Sequence, residues 1–400
     1  MTLLPALLLF LSALPAPPAS PAEPEMRGLW VVRTALVSPQ AVDRVVDEAR
    51  EAGFNTLFVQ VRGRGDAFYE SHLVSRSSLL WQQPGDFDPL ARLLERARAA
   101  GLTVHAWLNV LLTAHFSQPL PAGHVLRLHP DWLMIPRAAA AGSLAAPPSA
   151  LPRIVAQAAR GDGDVEGYYL SPSAPGVAEH LEAVVRELLR GYPVQGLHLD
   201  FIRYPGPDYD YSRPALEGFR RAHGGSDLVG SPAQDPAAWD AYRRDTLTAL
   251  LVRIAKAARE EQPGVVVSAA VVPDEAQAVS HRYQHWPSWM ARGLLDALCP
   301  MTYTPDSRIF RQQLEQVLTH VVGSRPVVWA GIGAYRLPLD GILEKVRIAR
   351  ESGVSGVLLF SHESILPGDR ARLRHEAFPP PDALAPPAAD ARALSGRSPR

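Results

Sequence analysis

Six short segments place chemically capable side chains directly after apolar runs. They are Gln60-Val61-Arg62 followed by Gly65-Asp66-Ala67-Phe68-Tyr69, then His105-Ala106-Trp107-Leu108-Asn109, His198-Leu199-Asp200-Phe201-Ile202-Arg203-Tyr204-Pro205, Pro273-Asp274-Glu275, Pro300-Met301-Thr302-Tyr303-Thr304-Pro305-Asp306 and Ser361-His362-Glu363. Carboxylates can move protons or stabilise a developing cation, and His and Arg can orient them. Aromatic faces stack on pyranose rings, and charged groups bond hydroxyls. A set of this composition suits a sugar. Asp200 stands out because a charged residue ends an apolar run there, with His198 and Arg203 beside it.

The elements that must carry these residues alternate. From Arg27 onward, apolar runs alternate with amphipathic helical patterns, the signature of parallel α/β folds. Eight runs read as strands: Arg27 to Val32, Asn55 to Val61, Thr103 to Leu108, Gly196 to Phe201, Val265 to Val271, Ala297 to Thr302, Pro326 to Gly331 and Gly356 to Ser361. Most are nearly all apolar, as strands buried on both faces should be. Ser38-Pro39 predicts a capped helix start, Val42, Val45, Val46 and Ala49 its buried stripe, and Gly53 its stop. Asp88-Pro89 repeats the device, with Leu90, Leu93, Leu94 and Ala97 as the stripe and Gly101 as the stop; a third such helix runs from Leu339 to Gly353. Eight such units predict a closed (β/α)8 TIM barrel rather than an open sheet. No phosphate-binding glycine loop follows the first run, and Gly63-Arg64-Gly65-Asp66 sets a carboxylate where phosphate would sit. Two connections are long, Val110 to about Pro172 and Pro205 to about Pro236. Long loops after barrel strands lie on the face where active sites are built.

Composition narrows the class. The 400 residues are 47% hydrophobic with a formal net charge of −1, ample for one large core and without the basic stripe that nucleic acid requires. The single cysteine, Cys299, lies in an apolar run, so an intramolecular disulfide is impossible and a buried small hydrophobe is expected. The Leu-rich start resembles a signal-peptide core, with Ser20 and Ala22 as the small residues before a cut after Ala22, although Lys and Arg are missing ahead of it. This predicts a signal peptide over 1–22, an exported (periplasmic or secreted) protein, and no transmembrane span after cleavage. The Pro-, Ala- and Arg-rich stretch 379–400 is expected to be a disordered tail.

Seven segments in order give a further resemblance: Met26-Arg27-Gly28-Leu29-Trp30, Asn55 to Arg62, Gly65 to Tyr69, His105 to Asn109, His129-Pro130-Asp131-Trp132, His198 to Pro205 and Pro300 to Tyr303. Over roughly Met26 to Phe378 the chain resembles glycosyl hydrolase-like family 10, a group of exported cell-wall glycosidases. The resemblance implies a (β/α)8 barrel over 26–378, export, and a polysaccharide substrate. The Ala/Pro-rich segment after the third strand departs from the family pattern.

Glycoside hydrolysis takes two carboxyl groups flanking the scissile bond. Asp200 is the first candidate, as nucleophile or stabiliser of the oxocarbenium ion in a retaining mechanism; a helix-capping or Arg-paired structural Asp is the alternative. For the acid partner, Asp306 and Glu363 come first and Asp274 and Glu275 follow; Asp306 could equally cap the helix beginning near Ser307. Arg62, Asp66, His105, Asn109, His198, Arg203, Tyr204 and Tyr303 are candidate substrate contacts, with Asp66 equally suited to forming a turn. Trp132, Trp286 and Trp289 are either sugar platforms or core residues. The chemistry needs no cofactor. His105, His198 and Asp200 could instead hold a metal for a deacetylase, but no close His pair at helical spacing supports that. A non-catalytic glycan-binding barrel would keep the aromatics and lack a correctly spaced acid.

Overall fold

Apolar runs that bury both faces need cover on both sides, and here the sheet achieves it by closing on itself. The structure, a computed structural model, describes residues 25–379 apart from 161–162, 164, 225–226, 228–230, 322 and 324–326. The expected signal peptide over 1–22 and all but the first residue of the expected tail lie outside the described residues.

Among the described residues ten strands follow one another: β1 (Met26–Val31), β2 (Thr56–Arg62), β3 (Thr103–Asn109), β4 (Leu112–Ala114), β5 (Tyr168–Tyr169), β6 (Gly196–Asp200), β7 (Val266–Val271), β8 (Ala297–Pro300), β9 (Val327–Gly333) and β10 (Gly356–Phe360). Eight of them close a parallel barrel in the order β1-β10-β9-β8-β7-β6-β3-β2, with β2 pairing back onto β1. These are the eight runs expected from the sequence, with ends shifted by at most two residues. Trp30 stands beside Phe58 and Phe360, and Asn109 beside Asp200. That register fixes which side chains share a layer of the interior.

The helices form where the sequence places their boundaries. Ser38 Oγ accepts from Ala41 N at 3.2 Å, and Val42, Val45, Val46 and Ala49 are buried. Each fully buried valine contributes roughly 1.5–3 kcal/mol relative to exposure. Asp88 Oδ1 caps the helix Pro89–Ala99 through Ala91 N at 2.9 Å. Among the described residues no helix is long and apolar enough to cross a membrane.

Strand alternation divides the core in two. Side chains facing outward from the strands pack under the helices. Met26, Trp30, Phe58, Trp107, Cys299, Trp329 and Leu358 fill the barrel itself. Cys299 is therefore a packing residue, fully buried.

The connection after β3 folds as an excursion rather than a plain loop. Short helices between residues 125 and 158 are closed off by the antiparallel ribbon of β4 and β5. The ribbon returns the chain to the mouth of the barrel at Glu166.

Candidate active site

Residue spacing along β6 decides what Asp200 can do. Residues two apart on a strand share a face, so His198 and Asp200 both point inward, one layer apart. His198 is the lower of the two. Its Nε2 accepts from Trp30 Nε1 at 3.1 Å, which leaves the ring proton on Nδ1 to donate to Ser268 Oγ at 2.9 Å. Burial pushes it well below the usual histidine range, so it stays neutral. Asp200 is the upper residue, 7% exposed at the strand's end.

The chain turns sharply just past Asp200. Phe201 has φ 49°, a left-handed conformation that costs a non-glycine residue of order 1–3 kcal/mol. The turn lets Phe201 N donate to Asp200 Oδ1 at 2.6 Å and brings Arg203 back over the Phe201 ring at 4.0 Å. Arg203 then divides its guanidinium between two carboxylates. Nη1 donates to Asp200 Oδ1 at 3.3 Å, and Nη2 to Glu166 Oε1 at 3.3 Å. Glu166 Oε2 accepts from the Tyr169 hydroxyl at 2.5 Å. No described residue hydrogen-bonds Asp200 Oδ2.

The two carboxylates are driven apart electrostatically. Burial raises the Asp200 pKa, outweighing Arg203 and the Phe201 amide, and the negative charge of Glu166 adds to the rise. Burial also acts to raise Glu166, but Arg203 and the Tyr169 hydroxyl outweigh it and hold Glu166 below the ordinary carboxylate range. One group is thus biased toward the acid and its neighbour toward the ionised base, the division that acid–base catalysis requires.

A cleft of about 280 Å³ opens above this pair. Trp30, Trp107, Tyr303 and Phe360 supply apolar wall, and Gln60, Asn109, Arg33 and Arg64 supply polar wall. Tyr303 stacks on Phe360 with ring centroids 5.6 Å apart, and Tyr335, 51% exposed, extends the aromatic surface outward. Asn109 is fixed from three sides, by Gln60, Trp107 and the Gly63 carbonyl. A larger groove of about 830 Å³ lies between the helix Pro89–Ala99 and the helix Val177–Gly191. Its Arg186, Arg190 and Glu187 are committed to Glu182, Glu260, Glu261, Ser71 and His72.

The cleft brings together Asp200, Arg203, Asn109 and Tyr303 from the residues chosen on sequence. Others fall elsewhere. Asp306 is exposed and caps the helix Ser307–Leu318, accepting from Arg308 N at 2.8 Å and Ile309 N at 3.0 Å. Those amides hold it below the usual carboxylate range, the opposite of what an acid needs. Glu363 is exposed and accepts from Thr34 Oγ1 at 2.9 Å. Asp274 caps a short helix, and Glu275 meets His320 at 3.0 Å. His105 and His198 lie in the barrel interior beneath the cleft; burial drives His105 down to about 3. Arg62 and Tyr204 are fully buried behind the wall. Asp66 ties the turn at Arg64 N, 2.8 Å away, and lines a neighbouring hollow. Trp132, Trp286 and Trp289 are buried core residues; the aromatic surface of the cleft comes from other rings. Among the described residues no group of three or more His, Cys, Asp or Glu side chains could hold a metal ion.

Replacing Asp306 by Ala should lower stability modestly through the lost cap. Denaturant midpoints would measure this. Turnover should be unchanged, and a collapse in rate would return Asp306 to the chemistry.

Glu166 escaped the sequence analysis. The available signal was Val165-Glu166-Gly167-Tyr168-Tyr169-Leu170, an aromatic strand-like run interrupting an Ala/Pro-rich tract.

The family model for glycosyl hydrolase-like 10 proteins matches residues 25–342. The chain belongs to that family. Glycosyl hydrolase DigH of Escherichia coli K12 is 27% identical over 294 residues, covering 68% of this chain and 60% of DigH. Glycosyl hydrolase YngK of Bacillus subtilis is 22% identical over 352 residues, covering 78% of this chain and 61% of YngK. The chain thus spans about three fifths of these family relatives. The glycoside hydrolase domain of PgaB (BpsB) from Bordetella bronchiseptica superposes with TM-score 0.65 at 14% identity, covering 89% of this chain and all of that domain. An α-L-fucosidase from Paenibacillus thiaminolyticus gives 0.59 at 14% identity, covering 88% of this chain and 49% of that one. These likenesses establish the fold, the TIM barrel that glycoside hydrolases use.

Proposed function

We propose that this family member is a glycoside hydrolase acting outside the cytoplasm on a bacterial polysaccharide, with peptidoglycan glycan strands as the first substrate to try. The observation that carries the reading is the pair Asp200 and Glu166 on the single fork of Arg203. Two 3.3 Å contacts and the ~2.3 Å span of a guanidinium fork cap the separation of the bonded oxygens at about 9 Å. That bound stays under the roughly 9.5 Å upper limit for paired-carboxylate glycosidases. Family membership and the barrel support the same reading, as does the apolar leader for export.

In the mechanism, Asp200 donates a proton from Oδ2 to the leaving glycosidic oxygen. Burial favours its protonated form, so the nucleophile or stabiliser role expected from sequence passes to its neighbour. Glu166, ionised, acts on the opposite side as nucleophile or as base toward water. Arg203 keeps both carboxylates in place. Trp30, Trp107, Tyr303 and Phe360 hold the sugar and exclude water.

The test is to incubate purified protein with glycan strands, with and without stem peptides, and to look for new reducing ends by mass spectrometry. Cleavage supports the reading. Tight binding without cleavage of any strand would favour a glycan-binding barrel.

The pH profile gives a second check. Glu166 works ionised and its pKa is lowered, so rate should fall as pH drops through that lowered value. Asp200 works protonated and its pKa is raised, so rate should fall as pH rises through that raised value. Initial rates across pH should trace a bell. A profile that keeps rising with pH would contradict the acid role of Asp200.

A further inference from the structure

The turn Gly63-Arg64-Gly65-Asp66 and the residue facing it, Arg33, are not used by the chemistry above. Arg33 lies flat across the backbone at Gly63, where a Cβ would come within 2.8 Å of Nη1 and 2.7 Å of Cδ. Its Nη1 donates to Gln60 Oε1 at 3.0 Å. Arg64 reaches the Glu166 carbonyl oxygen with Nη1 at 3.5 Å, at the limit of a hydrogen bond. In both residues Nε is buried without an acceptor, and no described residue accepts from Nη2. Neither arginine forms a salt bridge with a described carboxylate. Behind them, Arg62 is fully buried, with Nε and Nη2 also without acceptors.

Counter-charge is therefore short at this place. Asp66 acts on all three arginines, and Glu166 on Arg64, but Glu166 is already engaged by Arg203. Arg33 and Arg64 also repel one another. Guanidinium groups held partly away from water without acceptors are costly, and an anionic ligand would supply what these half-buried arginines lack. Arg33 and Arg64 line the cleft above Asp200 and also a second hollow of about 290 Å³ beside it, with Asp66 and His124. They form the wall between the two.

We propose that Arg33 and Arg64 form a subsite for a carboxylate carried by the sugar next to the scissile bond, so that the enzyme selects acidic over neutral glycans. Planar guanidinium forks match carboxylate geometry, and two of them facing one position would hold such a group better than a hydroxyl. The inference rests on the glycosidase reading for the orientation of the chain in the cleft, and its test separates the two.

Binding is measured by calorimetry on the Asp200→Asn protein, so that hydrolysis does not interfere. The probes are peptide-free glycan-strand fragments with free lactyl carboxylates, the same fragments with those carboxylates converted to methylamides, and an oligoglucuronide. The acid form should bind about tenfold or more tightly than the amide, the scale of charge-assisted hydrogen bonds. The gap should close in Arg64→Gln and in Arg33→Gln, and should be partly kept in Arg64→Lys, which retains the charge. An oligoglucuronide bound with the same dependence on Arg64 places the carboxylate on the ring. Preference for the lactyl form over the uronide places it on the ether substituent. Equal binding of acid and amide, or a gap unchanged in both glutamine variants, overturns the subsite. Cleavage by the unaltered enzyme is scored separately. Strands cut without an acid preference leave the glycosidase standing and remove the subsite. An Arg64-dependent preference without any cutting does the reverse.

Discussion

Asp200→Asn is expected to lower the rate of strand cleavage by roughly 10²- to 10⁴-fold, the range over which a positioned general acid contributes. The leaving oxygen of a glycoside is a poor leaving group until it is protonated, and no described residue hydrogen-bonds Asp200 Oδ2 on the cleft. Asparagine keeps the shape and can still accept from Phe201 N, but has no proton to deliver. The fold should tolerate the change, because Arg203 retains Glu166 as its partner. Burial already favours the neutral form of Asp200, and asparagine is neutral too. The thermal midpoint should therefore stay close to that of the unaltered protein. Substrates with a strongly activated leaving group, such as a nitrophenyl glycoside, need little protonation. With these the loss should shrink markedly if Asp200 is the acid. An equal loss on activated and natural substrates would move Asp200 to the nucleophile role, and no loss on either would remove it from the chemistry.

The barrel was legible because its determinants are local. Strand runs buried on both faces, cap residues such as Ser38 and Asp88, and stop glycines such as Gly53 each act over a few residues, and each formed as expected. Asp200 was legible for a related reason: a charge at the end of a buried strand has few places to go except the mouth. Asp306 shows the limit of that logic. In a β/α unit the residue after a strand is also the residue before a helix, so a strand-end carboxylate and an N-cap look alike in sequence. Only the distance turned before the helix begins separates them. His198 shows a different limit. Its inward direction follows from alternation, but its depth follows from barrel register, which depends on pairing with β3 and β7. Glu166 was least legible, because nothing local directs it to Asp200. It arrives through the β4–β5 ribbon, which pairs Leu112 with Tyr169 across more than fifty intervening residues.

Glu166→Gln tests the half of the site that the ribbon supplies, and should also cost roughly 10²- to 10⁴-fold in turnover. Two effects on the pH profile distinguish it from a loss of packing. First, the acid limb should disappear, because the group that must ionise is gone. Second, the alkaline limb should move to lower pH. The negative charge of Glu166 helps hold the Asp200 pKa up, so removing it lets Asp200 lose its proton earlier as pH rises. A variant that merely disturbed the loop would lose rate without displacing the Asp200 limb. The product anomer formed by the unaltered enzyme, read by NMR at early times, then assigns the role. Retention requires Glu166 to bond the sugar, and inversion requires it to activate water. If Glu166→Gln cut strands at the full rate with both limbs in place, the pairing through Arg203 would be structural, and Asp200 would need another partner along the same cleft.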